Sequence, residues 1–304
     1  SKMIDMAAAC RGDRIAMSVS DPPCSKISPA PSRKHQSASV QTSVDCLYRV
    51  SLPGAAKPLL VTLTWCRAPM GHGLTINLGD GSSPGFKINT ASHLFRRRKG
   101  AKSLDFNASR VEVAWDLSSA RYVPCCPEPE SGFYVVVTVD SEVGVAVGDL
   151  AGRRGAAAVG TRVVSRREHF SGRERYSTKV QFCDSGAEHE ILIRCRRGGE
   201  AGAKPAALWV WMDRRSVVCV ERLQWNFRGN QTIFVDGLLV DLMWDVYGWL
   251  FRSEGLGPGV FMFKTRRGVE SSRLWVEERK RSRDHQKERG EVDFSLFIYA
   301  CRSP

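Results

Sequence analysis

At 304 residues with 42% hydrophobic content, the chain is long enough for two ordinary domains and too apolar to be disordered throughout. A formal net charge of +13 favours acidic partners such as nucleic acid, anionic lipid or acidic protein, without choosing among them. No run approaches the ~18 uninterrupted apolar residues of a membrane-spanning helix, so no transmembrane segment is expected.

Residues 1–40 are rich in Ser, Ala and Pro, with Arg11, Arg14, Arg33 and Lys34 scattered among few acids, and read as a disordered tail. An organelle (plastid) transit segment is the alternative for this tail, weakened by Asp5, Asp13 and Asp21. From residue 44 the period becomes two. Tyr48–Leu52, Leu59–Trp65, Leu74–Leu78, Phe86–Ile88 and Arg110–Trp115 alternate apolar and polar residues, which puts one face on a core and the other in water. Phe133–Val139 and Val143–Val147 are continuously apolar and are expected as central strands covered on both faces.

The second half repeats the order, with strands expected over Tyr176–Phe182, Glu190–Cys195, Leu208–Met212, Val217–Leu223, Thr232–Val235, Leu239–Trp244, Val260–Lys264 and Phe294–Tyr299. Leu274–Arg289, with an acidic start and a basic end, is either a helix or a charged loop. Many short strands at close spacing predict an all-β protein of two tandem antiparallel β-sandwich-like units, 41–150 and 160–304, possible also as one joint double sandwich.

An internal repeat supports the tandem arrangement. Arg110–Asp116 reads RVEVAWD and Leu239–Asp245 reads LVDLMWD, so Trp115-Asp116 and Trp244-Asp245 lie 129 positions apart (244 minus 115). Gly100 with Gly229, and Cys66 with Cys195, share that offset. Val111, Val113 and Trp115 fall on one side of a strand, as do Val240, Leu242 and Trp244, so both tryptophans should face a core. Each following aspartate, at a strand end, should accept turn amides, and a two-strand hairpin should turn near Asn107-Ala-Ser in the first half and at Asp236-Gly237, a favoured turn pair, in the second. A carboxylate pair of Asp116 with Asp245, of the glycosidase kind, is the catalytic alternative.

Other chemistry is sparse. The ten cysteines show no Cys-x-x-Cys spacing, the six histidines stand apart, and no nucleophile elbow, phosphate loop or dinucleotide fingerprint occurs. No metal, cofactor or catalytic residue is therefore assigned. The cysteines point to a reduced, intracellular protein of the cytoplasm or nucleus.

Basic loops are the best lead to a site: Arg96, Arg97, Arg98 and Lys99, with Arg196, Arg214 and Arg266, could offer forked contacts to phosphate or carboxylate if they converge. Trp209, Trp211, Trp249 and Phe251 could instead line a sugar- or lipid-binding groove, against core packing as the default. Three functions follow: a non-enzymatic interaction or scaffold module with a protein partner, an anionic-ligand or membrane-surface module (anionic lipid or nucleic acid), and a carbohydrate-binding β-sandwich.

The segments VVSRREHFSGRERYSTKVQF (163–182) and LQWNFRGNQTIFVDGLLVDLMWDVYGWLF (223–251), with VEVAWDLSSARY (111–122), resemble a plant family catalogued as domain of unknown function 868. The resemblance runs from about residue 40 to the end. It implies an intracellular plant protein without an established activity, and marks the Gly- and Ala-rich stretches 151–160 and 198–207 as loop insertions.

Overall fold

A computed structural model describes residues 39–51, 58–68, 71–79, 87–89, 98–106, 109–152, 161–172, 174–198, 205–251, 257–266 and 293–301. The tail expected over 1–40 (but for its last two residues), the element expected over Leu274–Arg289, Arg96 and Arg97, and Asn107 and Ala108 of the first expected hairpin turn lie outside them. The chain is nearly all β. The first half carries β1 (Val40–Val50), β2 (Leu59–Ala68), β3 (Gly71–Leu78), β4 (Lys87–Asn89), β5 (Lys99–Phe106), β6 (Ser109–Asp116), β7 (Arg121–Tyr122), β8 (Pro129–Ser131), β9 (Tyr134–Val139) and β10 (Glu142–Val147). β11 (Thr161–Ser171) follows, and then β12 (Arg175–Gln181), β13 (Glu188–Arg196), β14 (Ala207–Met212) and β15 (Arg215–Val220). The chain continues through β16 (Arg228–Val235), β17 (Leu238–Asp245), a single helical turn α1 (Tyr247–Leu250), β18 (Gly259–Arg266) and β19 (Ser295–Cys301).

These strands form a nine-stranded sheet in the order β16-β17-β18-β19-β11-β1-β2-β3-β4, two four-stranded sheets, β10-β9-β6-β5 and β12-β13-β14-β15, and the small pair β7-β8. β11 is the middle strand of the large sheet, with four strands on either side. It pairs antiparallel with β1 and parallel with β19, so backbone hydrogen bonds cross from one half of the chain to the other. That parallel pair corrects the expectation of purely antiparallel sheets. Its two strands are far apart in sequence, and only a long connection can bring parallel neighbours together.

Alternation explains the cores. Val61, Leu63 and Trp65 of β2 join Val111, Val113 and Trp115 of β6 and Val135 and Val137 of β9 in one buried cluster. Ile191 and Ile193 of β13, Leu208 and Val210 of β14, Leu242 and Trp244 of β17 and Phe261 and Phe263 of β18 join a second. Two strands are covered on both faces: β9, whose Tyr134 and Val136 pack with Ala151, and β14, whose Ala207, Trp209 and Trp211 pack with Leu192 and Cys219. β10 is different. It was expected to be central but is an edge strand, with Gly144 and Val145 its buried residues, because a continuous apolar run does not by itself distinguish a central strand from an edge. Ala206 and Ala207, assigned to an insertion, are buried at and before the start of β14.

The repeated segments have matching geometry. Gly100 faces Trp115 across β5 and β6, and Gly229 faces Trp244 across β16 and β17. Lys99 Nζ lies 3.1 Å from Asp116 Oδ2, and Arg228 Nε lies 2.7 Å from Asp245 Oδ2. Asp116 Oδ1 accepts the Ser118 amide at 3.0 Å, while Asp245 Oδ1 accepts the Tyr247 amide at 3.1 Å. The Leu117 amide donates to Arg98 O and the Val246 amide to Phe227 O, at 2.6 and 2.9 Å. Each carboxylate thus holds the turn that follows its own strand and an ion pair within its own hairpin.

The expected hairpin turn is present at Asp236-Gly237, where φ is 49° and 79°; both central residues occupy the left-handed region of a two-residue turn. A second turn of this kind, Asp213-Arg214 with φ of 48° and 68°, joins β14 to β15. One histidine ties the two turns together. His189 of β13 places Nδ1 2.6 Å from Asp213 Oδ2 and Nε2 2.8 Å from Asp236 Oδ2. A neutral imidazole has one N–H and cannot donate to both carboxylates, so the clamp requires the imidazolium. Burial pulls the His189 pKa down, but the bonds to Asp213 and Asp236 outweigh it and leave it above the ordinary 6.5, while both aspartates are held below their ordinary value.

A pH dependence follows from these directions. The histidine contribution is fully present below the unfolded value near 6.5 and is lost as pH rises through the raised folded value. The aspartate contributions run the other way, lost as pH falls through their lowered folded values. Thermal melts of wild type and His189→Asn between pH 5 and 10 should therefore show the variant melting lower near pH 6, with the gap closing at alkaline pH. A gap of constant size across that range would mean that the histidine acts by packing and not by charge.

Candidate binding cleft

The middle strand carries charge where its neighbours carry core. Along β11, Arg166, Glu168 and Phe170 point to one face; Arg166 pairs with Cys46 of β1 and Glu168 with Val44, both members of the first buried cluster, while Phe170 belongs to the second. Arg166 and Glu168 therefore sit at the seam between the two cores. Glu168 is wholly buried. Arg166 Nε donates to Glu168 Oε1 at 2.6 Å, and the same oxygen accepts Thr178 Oγ1 of β12 at 2.8 Å. The two terminal nitrogens of Arg166 grip Glu128 as a fork, Nη1 on Oε1 at 3.0 Å and Nη2 on Oε2, and Nη1 also lies 3.3 Å from Cys46 Sγ.

Glu128 arrives from the excursion between β6 and β9. That segment is anchored beside β3 by Tyr122, which stacks on His72 at 3.8 Å, and beside β1 by the Gln41 amide, which donates to Cys125 O at 3.0 Å. A β-bulge shapes the floor. Leu47 pairs with Ser165 but Tyr48 with Val163, so β11 has one residue more than β1 here, and Val163 turns to the face that carries Arg166. The result is a cleft of about 590 Å³. Its floor is formed by Cys46, Tyr48, Val163 and Arg166, one wall by Val123, Cys126 and Glu128 to Glu130, and the other by Ser177 to Asp184 with Glu188 and Glu190.

The electrostatics of the floor follow from burial. Desolvation acts against the charge on Arg166, but Glu168 and Glu128 more than reverse this and hold it protonated. Burial also pushes the Glu168 carboxyl up, against the pull of Arg166, and pushes the Cys46 thiol up to about 12. Cys46 is thus a neutral thiol at physiological pH, unsuited to nucleophilic attack. Glu168 Oε2 is buried and meets no hydrogen-bonding partner.

The family model for plant proteins of unknown function, DUF868, matches residues 39–302. The chain belongs to the DUF868 family. No curated protein and no solved structure matches it. Among the described residues of this DUF868 chain no helix is long and apolar enough to cross a membrane.

Of the sequence-derived site residues of the DUF868 chain, Arg98, Lys99, Arg196, Arg214 and Arg266 are among the described residues. Arg98 and Lys99 are exposed at the start of β5, where Lys99 pairs with Asp116. Arg196 pairs with Ala207, the first residue of β14, donates to Pro205 O at 3.1 Å and lies over the Trp209 ring at 5.0 Å. Arg214 lies two residues beyond Met212, the last residue of that strand. Five residue steps of ~3.4 Å therefore separate the two ends of β14, about 17 Å, so Arg196 and Arg214 do not meet. Arg266, at the end of β18, donates to both carboxylate oxygens of Asp241.

The aromatic groove expected from Trp209, Trp211, Trp249 and Phe251 is not formed as an exposed platform. Trp209, Trp211 and Trp249 are buried, and Phe251 packs near Phe227. The indoles serve as packing because β14 is covered on both faces and Trp249 closes over Gly259. Sequence reasoning missed Arg166 with Glu168 and Glu128. A signal was present: opposite charges two residues apart, followed by Phe170 on the same strand face, inside the segment 163–182.

Proposed function

We propose that this DUF868 protein is a non-enzymatic interaction module of two β-sandwich-like units, derived by internal duplication, that binds its partner in the cleft at their seam. The duplication reading is supported by the matched Gly–Trp, ion-pair and turn geometries 129 positions apart (244 minus 115). The observation that carries the binding reading is the cleft of about 590 Å³ itself, built over the middle strand by residues from both halves and within the size range of ligand sites. The pairing of its floor supports a binding role: Arg166 is engaged on three nitrogens by two carboxylates, and the Cys46 thiol is neutral and so not an activated nucleophile. The eight described cysteines are free thiols, which suits a reducing compartment such as cytoplasm or nucleus. Binding of anions by basic hairpin loops has less support, since Arg196 and Arg214 stand at opposite ends of one strand and Arg266 is engaged by Asp241.

Val163→Trp tests the reading. Val163 is 38% exposed on the cleft floor, so an indole there fills the cleft without entering a core. Affinity capture from plant tissue should recover a set of proteins with the wild type that is missing with Val163→Trp, at equal melting temperature. Recovery of the same set by both would remove the cleft as the interaction site.

A further inference from the structure

The nine-stranded sheet has a second face, turned away from both cores. Phe261, Phe263, Leu296 and Ile298 enter a buried cluster, whereas Val260, Met262, Phe297 and Tyr299, which alternate with them on β18 and β19, belong to no cluster among the described residues. On β11 the same alternation puts Arg167 and His169 on this open face, opposite to Arg166 and Glu168. Strand pairing sets these side chains in two rows, Met262, Phe297 and Arg167 in one and Val260, Tyr299 and His169 in the next. Three rings and a guanidinium form one stack. His169 lies 4.7 Å from Tyr299 at 14°, Tyr299 lies 6.4 Å from Phe297 at 11°, and Arg167 Cζ is 5.9 Å from the centre of the Phe297 ring.

Charge on this face is unevenly used. Asp241 and Asp245 are taken up by Arg266 and Arg228, while Arg167 and Lys264 are exposed and make no ion pair among the described residues. Asp45, opposite Arg167 on β1, is the remaining acid among the described residues of the face. Beyond β1, Thr62 and Thr64 of β2 pair with Asn77 and Thr75 of β3 on the same side, so hydroxyl and amide groups continue the surface. At ~4.8 Å per strand they lie about 10 and 14 Å from β11.

From this arrangement we infer that the open face of the nine-stranded sheet binds single-stranded RNA, with bases stacking on the His169, Tyr299 and Phe297 rings and Arg167 and Lys264 holding phosphates. Aromatic rings on a sheet beside cations are what unpaired bases and their backbone require: each base offers a π-face, and a guanidinium can both stack on it and pair with phosphate. A duplex hides those base faces, so a single strand is the occupant that fits. The Thr and Asn rows of β2 and β3 offer donors and acceptors to ribose hydroxyls, which favours RNA over DNA. The net charge of +13 draws a polyanion to the surface, and the stack decides where it stays. This site is separate from the cleft, whose floor residues Val163 and Arg166 lie on the other face of β11.

Fluorescence anisotropy of the full chain with labelled oligo(U) RNA, oligo(dT) DNA of equal length and an RNA duplex tests it. Oligo(U) should bind the wild type most tightly. Tyr299→Leu, which keeps an apolar side chain but loses the ring, should weaken that binding about tenfold. Arg167→Ala and Lys264→Ala, both at exposed positions where folding is not at stake, should each weaken it and flatten the dependence of log K on log salt by roughly 0.7. Val163→Trp should bind RNA as the wild type does, whatever it does to partner capture. No binding of oligo(U) at low salt, equal binding of the duplex or of oligo(dT), or affinity unchanged in Tyr299→Leu and Arg167→Ala would each overturn the inference. Loss of RNA binding in Val163→Trp would overturn it too, by placing the nucleic acid in the cleft. Sedimentation with phosphatidylserine vesicles that depends on Tyr299 and Arg167, without RNA binding, would give the face to a membrane instead.

Discussion

Arg166→Met should lower the unfolding free energy by roughly 3–5 kcal/mol, the usual effect of removing one partner from a buried ion pair. Arg166 is the donor common to Glu168, which is wholly buried, and to Glu128. Its loss leaves Glu168 with a hydroxyl from Thr178 and no compensating charge. Glu168→Gln should be milder, because the amide oxygen still accepts from Arg166 Nε and no charge has to be buried. Joint replacement of Arg166, Glu128 and Glu168 by apolar residues should recover most of the loss, since a buried ion cluster is commonly no more stable than the hydrophobic packing that replaces it. Urea denaturation of the four proteins reads all three outcomes. An Arg166→Met protein within about 0.5 kcal/mol of wild type would show that water, not Arg166, compensates Glu168. Recovery in the triple variant with loss of cleft binding would place the cluster in the service of the site and not of the fold.

The second large effect concerns the paired glycines. A Cβ built on Gly100 would lie 2.7 Å from Trp115 Cζ2, and one on Gly229 would lie closer still to Trp244 Cζ2. β5 and β16 are edge strands, and in each an indole from the neighbouring strand covers the glycine, a cross-strand arrangement known to protect edge glycines. Gly100→Ala and Gly229→Ala should therefore each cost about 1–3 kcal/mol by overpacking, although alanine suits a strand better than glycine does. Combining each with replacement of its tryptophan by leucine should give a coupling energy of about 0.5–3 kcal/mol, because the added methyl then meets no ring. The two cycles should agree in sign and in approximate size. Coupling at one hairpin and none at the other would show that the two tryptophans are not equivalent, and would leave the duplication without energetic support.

Much of the local structure was legible because it depends on neighbours in sequence. Val111, Val113 and Trp115 are all buried because residues two apart share a strand face, and the same holds for Val240, Leu242 and Trp244. Asp236-Gly237 forms its turn because those residue types tolerate positive φ. β5 was legible only as the first arm of the hairpin expected near Asn107-Ala-Ser, because its residues are mostly exposed and its sequence lacks the apolar alternation by which a strand is recognised. β11 was missed for the opposite reason. Arg166 and Glu168 occupy buried positions that alternation assigns to apolar residues, and a strand with ion-paired charges in its core-facing positions does not look like one.

The site was less legible than the fold. In the sequence Arg166 stands beside a second arginine, Arg167, and only in the folded chain does it meet Glu128, 38 residues earlier, while its neighbour Glu168 meets Thr178 of β12. Arg196, Arg214 and Arg266 read as a possible cluster because basic residues in turns look alike in sequence. Strand direction then separates Arg196 from Arg214, and Asp241 takes up Arg266.

By itself the sequence determined the β character of the chain, its family, the repeated Trp-Asp hairpins and which face of each alternating strand enters a core, all of which follow from side-chain period and turn chemistry within a few residues. Only the tertiary structure decided that β11 becomes the middle strand, parallel to β19 and antiparallel to β1, and that a cleft opens above it. Strand pairing and charge convergence bring together residues more than a hundred positions apart, as with Cys46 and Arg166, and no local period encodes such a contact.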